Sequence, residues 1–400
     1  MYAYKLASTR RALEKTFFNS QQGKRVLLRA DLNVPTDSTT KVVTDKNRIT
    51  AVLPTIQALQ RADAKVIVAS HFGRPDPKKQ CWDEMVKAYS LAPVAEVCLL
   101  ENTRFHVGDS KNDPAFAAAF GKLAHVFVCD AFGVVHRDQG SITGVTQHVE
   151  ACYPGPLIRH ELTYLSQYLE KPKRPLGVVM GGSKVADKIG VLWALIKKAD
   201  VLLIGGRMAF TFLAAKGVCV GATQVEEAWL QPALDMLAAA EARGVKLLLP
   251  CDVLVSNSLE APQKEHIVEL GVNCCVPEAP CVPAGQFGVD IGPGSNALFT
   301  KALAQCGTIF WNGPMGKFEV PAFALGTQAV ARAVADATKS GAVTVVGGGD
   351  SMAAISQMGL ARHVSHISTG GGASLEFIEG KGMPGLRALA TVKPLDEPQC

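Results

Sequence analysis

The chain has 400 residues, 48% of them hydrophobic and 19% charged, and carries a formal net charge of +5. That length exceeds what one core usually supports, so two domains are expected. The charge is mild and never gathers into a basic run, which argues against nucleic acid as a partner, and no apolar run approaches the ~18 residues of a membrane span.

The first apolar run, Arg25–Ala30, predicts a buried strand that ends at Asp31-Leu32-Asn33-Val34-Pro35. Ile49, Val52, Leu53, Ile56 and Leu59 recur at helical period and predict a helix over Arg48–Ala62, with Pro54 as a point for a kink. Further strands are expected at Lys65–Ser70, Val97–Leu100 and His125–Cys129. Each ends in a polar loop: Ser70 to Pro75, Glu101 to His106, and Asp130 to Arg137. In open α/β sheets, ligands bind at this carboxyl edge. Arg48, His71, Arg74, Arg104 and Arg137 lie in or beside these loops. One such cation is ordinarily a solvated charge or a helix cap. At four successive strand ends they point to an anion site read by forked hydrogen bonds. Asp31 and Asn33 suit a ligand hydroxyl, or simply a turn starting at Asp31.

A helix is expected over Glu161–Glu170, followed by Lys171-Pro172-Lys173-Arg174-Pro175, whose prolines mark a domain boundary. Strands then follow at Leu176–Met180, Val201–Ile204, Val245–Leu249, Thr308–Trp311 and Val343–Val346. Helices alternate with them at Val185–Lys198, Glu226–Ala242, Phe323–Ala337 and Ser351–Met358. This alternation predicts an α/β fold of two lobes, each a mostly parallel sheet flanked by helices. Residues 276–287, rich in Pro and Gly, read as surface loop.

The glycine loops come late. Gly347-Gly348-Gly349-Asp350-Ser351 joins a strand to a helix, so bare N–H groups and the helix N-terminus can meet phosphates. Asp350 is placed to hold Mg²⁺, which needs only one or two carboxylates beside its waters, or to cap the helix. Gly370-Gly371-Gly372 opens another helix. Gly181-Gly182-Ser183 leads to Lys184 and Lys188, one helical turn apart and expected on one face. In Trp311 to Glu319, Asn312 suits a phosphate chain and Glu319 a ribose. No G-x-x-x-x-G-K-[ST], G-x-S-x-G or H-E-x-x-H occurs, which disfavours a P-loop protein, an α/β-hydrolase and a zinc protease, and the single G-x-G-x-x-G, Gly380 to Gly385, does not follow an expected strand, which disfavours a dinucleotide dehydrogenase.

The 11 cysteines are odd in number, without a C-x-x-C pair or ligand spacing. They read as reduced, mostly structural thiols of a cytoplasmic protein, Cys98 and Cys129 among them. Met1 to Lys15 lacks the apolar core of a signal peptide.

The segments R-A-D-L-N-V-P, S-H-F-G-R-P, E-N-T-R-F-H, D-A-F-G-V-V-H-R, G-G-S-K-V-A-D-K, W-N-G-P-M-G-K-F-E, G-G-G-D-S and S-T-G-G-G-A-S-L-E, in this order between Arg29 and Glu379, together resemble phosphoglycerate kinases. The resemblance implies reversible, Mg²⁺-dependent phosphoryl transfer between 1,3-bisphosphoglycerate with ADP and 3-phosphoglycerate with ATP. It implies a monomer of two Rossmann-like lobes joined by an interdomain helix. Residues 1–170 would bind phosphoglycerate and 171–381 nucleotide, with a tail, 382–400, returning to the first lobe. By the same resemblance, Asp31, Asn33, Arg48, His71, Arg74, Arg104 and Arg137 form the acid site. Lys184, Lys188, Gly205, Gly206, Gly292, Asn312, Glu319, Gly347, Gly348, Gly349, Asp350 and Ser351 form the nucleotide site, with Asp350 as metal ligand. Arg48, Lys184, Gly370 and Gly371 would surround the transferred group. Arg207 departs from the family, where glycine is usual near the purine pocket. A scaffold that kept the fold would have lost Arg48, Lys184 or Asp350, and all three are present. A kinase for another carboxylic acid remains open at this stage.

Overall fold

The computed structural model describes residues 21–37, 39–40, 42–43, 46–73, 75, 97–169, 171–271 and 281–391. The chain divides into two compact units: Met1–Ser166 with Lys381–Cys400, and Gln167–Gly380.

In the first unit, β1 (Arg25–Arg29), β2 (Lys65–Ala69), β3 (Val97–Leu99), β4 (Val126–Cys129) and β5 (Ala151–Pro154) form one sheet in the order β3-β2-β1-β4-β5. Every pairing is parallel. Parallel strands covered on both faces need continuous apolar runs, and β4 is buried throughout. Helix α1 (Asn47–Arg61) drops Val52 and Leu59 onto Val26, Leu28, Val66, Val68, Val126 and Val128. Pro54 sits inside α1 on its exposed side, where the carbonyl it leaves unpaired can be hydrated. Helix α2 (Pro114–Gly121) starts on an Asp113 side chain that accepts from the Phe116 N–H.

Helix α3 (Pro156–Leu162) starts well before the expected Glu161 and passes into a π-helical stretch, Thr163–Tyr168. Buried Asp130 is the cause: its Oδ1 accepts from the N–H groups of Leu157 (2.7 Å) and Ile158 (3.3 Å) and so fixes the first turn. The C-terminal helix α11 (Pro384–Thr391) belongs to this unit, with Leu386 and Leu389 buried and the Gly385 N–H on the Val135 carbonyl.

The second unit holds β6 (Leu176–Met180), β7 (Val201–Ile204), β8 (Lys246–Leu248), β12 (Thr308–Asn312), β13 (Val343–Gly347) and β14 (His366–Ile367) in one sheet ordered β14-β13-β12-β6-β7-β8, all parallel. The order reverses between β6 and β12. Such a reversal opens the crevice in which doubly wound sheets bind ligands. The sheet is covered by α4 (Ile189–Ile196), α5 (Gly206–Ala215), α6 (Leu230–Ala242), α7 (Pro293–Leu303), α8 (Leu325–Lys339), α9 (Gly349–Gln357) and α10 (Gly372–Glu379). Trp311, Val179, Leu203, Ile309 and Val346 lie in its core.

Further features differ from the sequence reading, which did not expect strands β5 and β14 or helices α2, α5, α7 and α11. An antiparallel sheet, β10-β9-β11 (His266–Glu269, Asp252–Ser256, Phe287–Ile291), was not expected. Of the loop expected at 276–287, residues 276–280 lie outside the described residues and Phe287 already opens β11. Helix α4 begins at Ile189 rather than Val185.

Among the thiols, Cys129, Cys152 and Cys306 are buried, and burial pushes their pKa values up to about 12, 12 and 11. Cys98 is exposed on edge strand β3, so its apolar run does not make it a core thiol.

Candidate active site

In the first unit, the loops after β1, β2 and β3 are tied to one another by side chains. Ser70 Oγ accepts from the Leu32 N–H at 2.9 Å, and Asn33 Oδ1 from the Gly73 N–H at 2.8 Å. Asn102 Oδ1 accepts from Phe72 N–H (3.0 Å) and Arg104 N–H (3.1 Å), while its Nδ2 donates to the Phe72 carbonyl at 2.7 Å. A guanidinium N–H of Arg104 donates to the Gly73 carbonyl. Arg48, in the first turn of α1, donates to Asp31 Oδ2 at 2.6 Å, and Asp31 Oδ1 accepts from the Asn33 N–H. Of the acid-site residues named from sequence, Asp31, Asn33 and Arg104 are therefore joined through shared loops, and Arg48 through Asp31. Arg137 follows the turn after β4, with its Nε on His136 Nε2 at 3.3 Å. Arg74 lies outside the described residues.

Sequence reading missed Arg29 as a member of this group because it lies inside a strand. It is fully buried, with donors on the Ala30 carbonyl (2.5 Å), Ser141 Oγ (3.2 Å) and His71 Nδ1 (3.4 Å). A guanidinium has no acceptor. The His71 Nδ1 facing it must therefore be the lone-pair nitrogen, which puts the ring proton on Nε2. Burial first, then the charges of Arg29, Arg104, Arg137 and Arg48, pull the His71 pKa down to about 2. His71 is thus a neutral N–H donor among cations. Asp130, in the loop before Arg137, is a structural cap rather than a ligand group. Its Oδ2 accepts from Thr55 Oγ1 at 2.6 Å, and burial raises its pKa to about 6.

The second unit builds its site from backbone. Gly182 N–H donates to the Pro314 carbonyl, Gly206 N–H to Met315, and Met208 N–H to Gly182. These bonds lock together the loops after β6, β7 and β12. Gly206 has φ +65°, and a Cβ there would lie 2.5 Å from the Gly182 nitrogen, so only glycine fits. Gly205 packs against Met315.

Lys188 donates to the Gly181 carbonyl (2.5 Å) and the Asn312 carbonyl (3.3 Å), bridging the strand ends on either side of the switch. Burial brings its pKa down to about 8, against the opposing pull of Asp350 and Asp187. Lys184 is exposed and precedes α4, so the two lysines do not share a helical face. Lys188 turns back to the Gly181 and Asn312 carbonyls at the strand ends, and regular helix starts only after it.

Gly348, at φ +89°, caps α9, with Gly349 and exposed Asp350 in its first turn. A Cβ on Gly348 would meet the buried Asn312 amide at 2.9 Å. Gly347 ends β13 beside the same amide, and Ser351 Oγ accepts from the Gly313 N–H at 2.6 Å. Gly371 caps α10, and the Gly370 N–H donates to Ser368 Oγ. Gly292 caps α7, packed on Asp252, and does not line the cavity described next.

That cavity, of about 380 Å³, has Phe210, Leu259, Phe287, Val289 and Met315 as apolar walls and Asp350 and Glu319 at its rim. Arg207 lies in its wall, its Nε on the Ser183 carbonyl (3.1 Å) and NH1 on Gln224 Oε1 (3.2 Å). Its guanidinium is thereby held by protein acceptors. Asp290 lines the cavity as well. Its oxygens accept from Ile291 N–H (2.9 Å) and Gly326 N–H (2.7 Å), and burial raises its pKa to about 7.

The family profile described as phosphoglycerate kinase matches residues 18–97 and 82–381. The chain belongs to the phosphoglycerate kinase family. It is 47% identical to a phosphoglycerate kinase of Thermosynechococcus vestitus and 45% identical to one of Synechococcus elongatus; each match spans 92% of this chain and 96% of the relative. Among solved structures, phosphoglycerate kinase from Coxiella burnetii matches at TM-score 0.78 with 37% identity. That from Pyrococcus horikoshii matches at 0.76 with 29%. Each covers 92% of this chain and 96% of its own. The family's reaction is this chain's reaction: reversible phosphoryl transfer between 1,3-bisphosphoglycerate with ADP and 3-phosphoglycerate with ATP, in glycolysis and gluconeogenesis, with Mg²⁺.

Proposed function

We propose that the first unit holds the phosphoglycerate through Asp31, Asn33, Arg48, His71, Arg74, Arg104 and Arg137, and that the second holds the nucleotide at the β6/β12 switch. The observation that carries this is the stitching of the β1, β2 and β3 loops, which fixes several cationic donors at one sheet edge before any ligand arrives. In the second unit, the apolar cavity suits the purine, Glu319 the ribose, and the N-terminus of α9 the phosphates. Lys188 keeps the crevice at its width.

Asp350 is the residue that would hold Mg²⁺. One exposed carboxylate beside phosphate oxygens and waters suits that ion, and no cluster of three or more His, Cys, Asp or Glu occurs among the described residues. When bound, Mg²⁺ neutralises phosphate charge.

The acceptor is a carboxylate, with a reference pKa of ~4, so it arrives ionised and needs no general base. The chain's task is to offset charge. Arg48, Lys184 and the N–H groups at Gly370 and Gly371 are donors suited to the three equatorial oxygens of the transferred group, the Gly370 N–H once it exchanges Ser368 Oγ for the ligand. We infer that ligands drive closure through segment 161–175 and the Gly370 region, expelling water that would hydrolyse the phosphoryl group. Small-angle scattering with both ligands tests this; an unchanged radius of gyration refutes it. A monomer in the cytoplasm, with no nucleic-acid or membrane partner, completes the reading. Among the described residues no helix is long and apolar enough to cross a membrane.

A further inference from the structure

Two cysteines that the phosphoryl-transfer site does not use stand side by side in the second unit. Val220 and Val282 form an isolated parallel bridge, and the Val282 N–H donates to the Cys219 carbonyl at 3.1 Å. Residues aligned across such a bridge lie about 4.8 Å apart, and alternate residues face the same side. Cys219 and Cys281 each precede the bridged valine, so they are aligned with one another and share the face opposite the buried Val282. The alignment falls inside the roughly 4.4–6.8 Å Cα window that a disulfide needs.

A second observation agrees: after burial, the neighbouring Cys219 thiol holds the Cys281 pKa above its ordinary value. Cys219 is exposed and Cys281 partly so, which lets a reagent reach them. Buried Cys129, Cys152 and Cys306 offer no such access.

The bridge leads directly to the nucleotide cavity. Past it, the Ala222 N–H donates to the Gln286 carbonyl and the Gly288 N–H to Thr223 Oγ1 at 2.8 Å. Thr223, Gln224, Phe287 and Gly288 all line the cavity. The two runs that carry the cysteines are thus the two runs that form one cavity wall.

We propose that Cys219 and Cys281 form a reversible disulfide that weakens nucleotide binding by pulling this wall out of its relaxed position. The oxidant is a small-molecule disulfide. The Cys219 thiolate attacks one of its sulfurs, forming a mixed disulfide and releasing one thiol. The Cys281 thiolate then attacks Cys219 Sγ and releases the second. The protein loses two electrons and two protons to the oxidant, and a dithiol reverses both steps. The effect on nucleotide rests on assigning this cavity to nucleotide; formation of the bond does not.

The test uses the full chain, treated with oxidised glutathione and then with dithiothreitol. Intact mass, non-reducing peptide mapping and the KM values for MgATP and 3-phosphoglycerate are read at each stage. The expected result is a Cys219–Cys281 peptide pair and the loss of two hydrogens. The KM for MgATP should rise several-fold and return on reduction, with the KM for 3-phosphoglycerate unchanged. Cys219→Ser and Cys281→Ser should each keep full activity when reduced and lose the response to oxidant. A disulfide mapped to any other pair, persistence of both thiols, or a bond that leaves the MgATP KM unmoved overturns the proposal. A reduced Gly206→Val protein whose KM for MgATP equals that of the reduced wild type would instead count against the cavity assignment itself.

Discussion

The two units share a doubly wound logic and, on the proposed assignment of ligands, read anions in opposite ways. The first presents side chains: guanidinium groups and one neutral imidazole, held by loops that Asn33, Ser70 and Asn102 bind together. The second presents backbone: the Gly348 cap of α9, loops locked by Gly182 and Gly206, and a cavity beside them. A small acid offers little surface, so its affinity must come from many forked donors. A nucleotide brings a purine that an apolar cavity can bury, and its phosphates need only orphan N–H groups and one metal.

The largest expected effect comes from Lys184, an exposed lysine beside the second unit's glycine loops. Lys184→Ala should lower kcat by about a hundredfold or more, the usual cost of losing a preorganised donor. Steady-state kinetics under saturating substrates check this, and a change confined to KM would demote Lys184 to a binding role. Next is the backbone device. Gly206→Val forces a side chain onto Gly182 and into a positive φ. It should cost roughly 2–4 kcal/mol of stability and most of the MgADP affinity, yet leave 3-phosphoglycerate binding intact. Calorimetry with each ligand decides.

Most strands of the two parallel sheets were legible because buried parallel strands are written as unbroken apolar runs, as at Leu176–Met180 and Val201–Ile204, whereas β5, which ends in proline, and β14, of two residues, carry no such run. Candidate site residues were legible where a cation stood in a loop, as Arg104 does. Arg29 hid inside a strand whose neighbours are apolar, and its role depends on Ser141 and His71, far away in sequence. The β10-β9-β11 sheet was missed because its edge strand, His-Ile-Val-Glu, is short and mostly exposed. The delayed start of α4 was illegible for a different reason: Lys188 is drawn back to the carbonyls of Gly181 and of Asn312, the latter far along the chain.

Asp290 and His71, one in each unit, should also differ in pH response. The Asp290 pKa is raised to about 7 by burial, so the folded state holds a proton that the unfolded chain releases near pH 4. Its contribution is fully present below that pH and is lost as pH rises toward about 7. Trp311 lies in the same unit, and urea midpoints followed by its fluorescence should fall across this window by an amount worth on the order of a few kcal/mol. Asp290→Asn should flatten the slope; an unchanged slope would refute the assignment.

His71 runs the other way. Its folded pKa of about 2 lies below the unfolded value near 6.5, so its contribution is present above ~6.5 and is lost as pH falls. The smallest effect is spectroscopic. Nitrogen NMR should show His71 as the neutral Nε2–H tautomer from pH 8 down to about 5. An imidazolium signal there would break the picture of a neutral donor among arginines.

The division of labour between side chains and backbone is tested most directly by titrating Arg48→Ala with 3-phosphoglycerate and, separately, with MgADP. The account expects acid binding to fall at least tenfold, to about the level of losing one charge-assisted contact, with MgADP affinity unchanged. Acid affinity that survives the substitution, or nucleotide affinity that falls with it, would contradict the assignment of the two ligands to the two units.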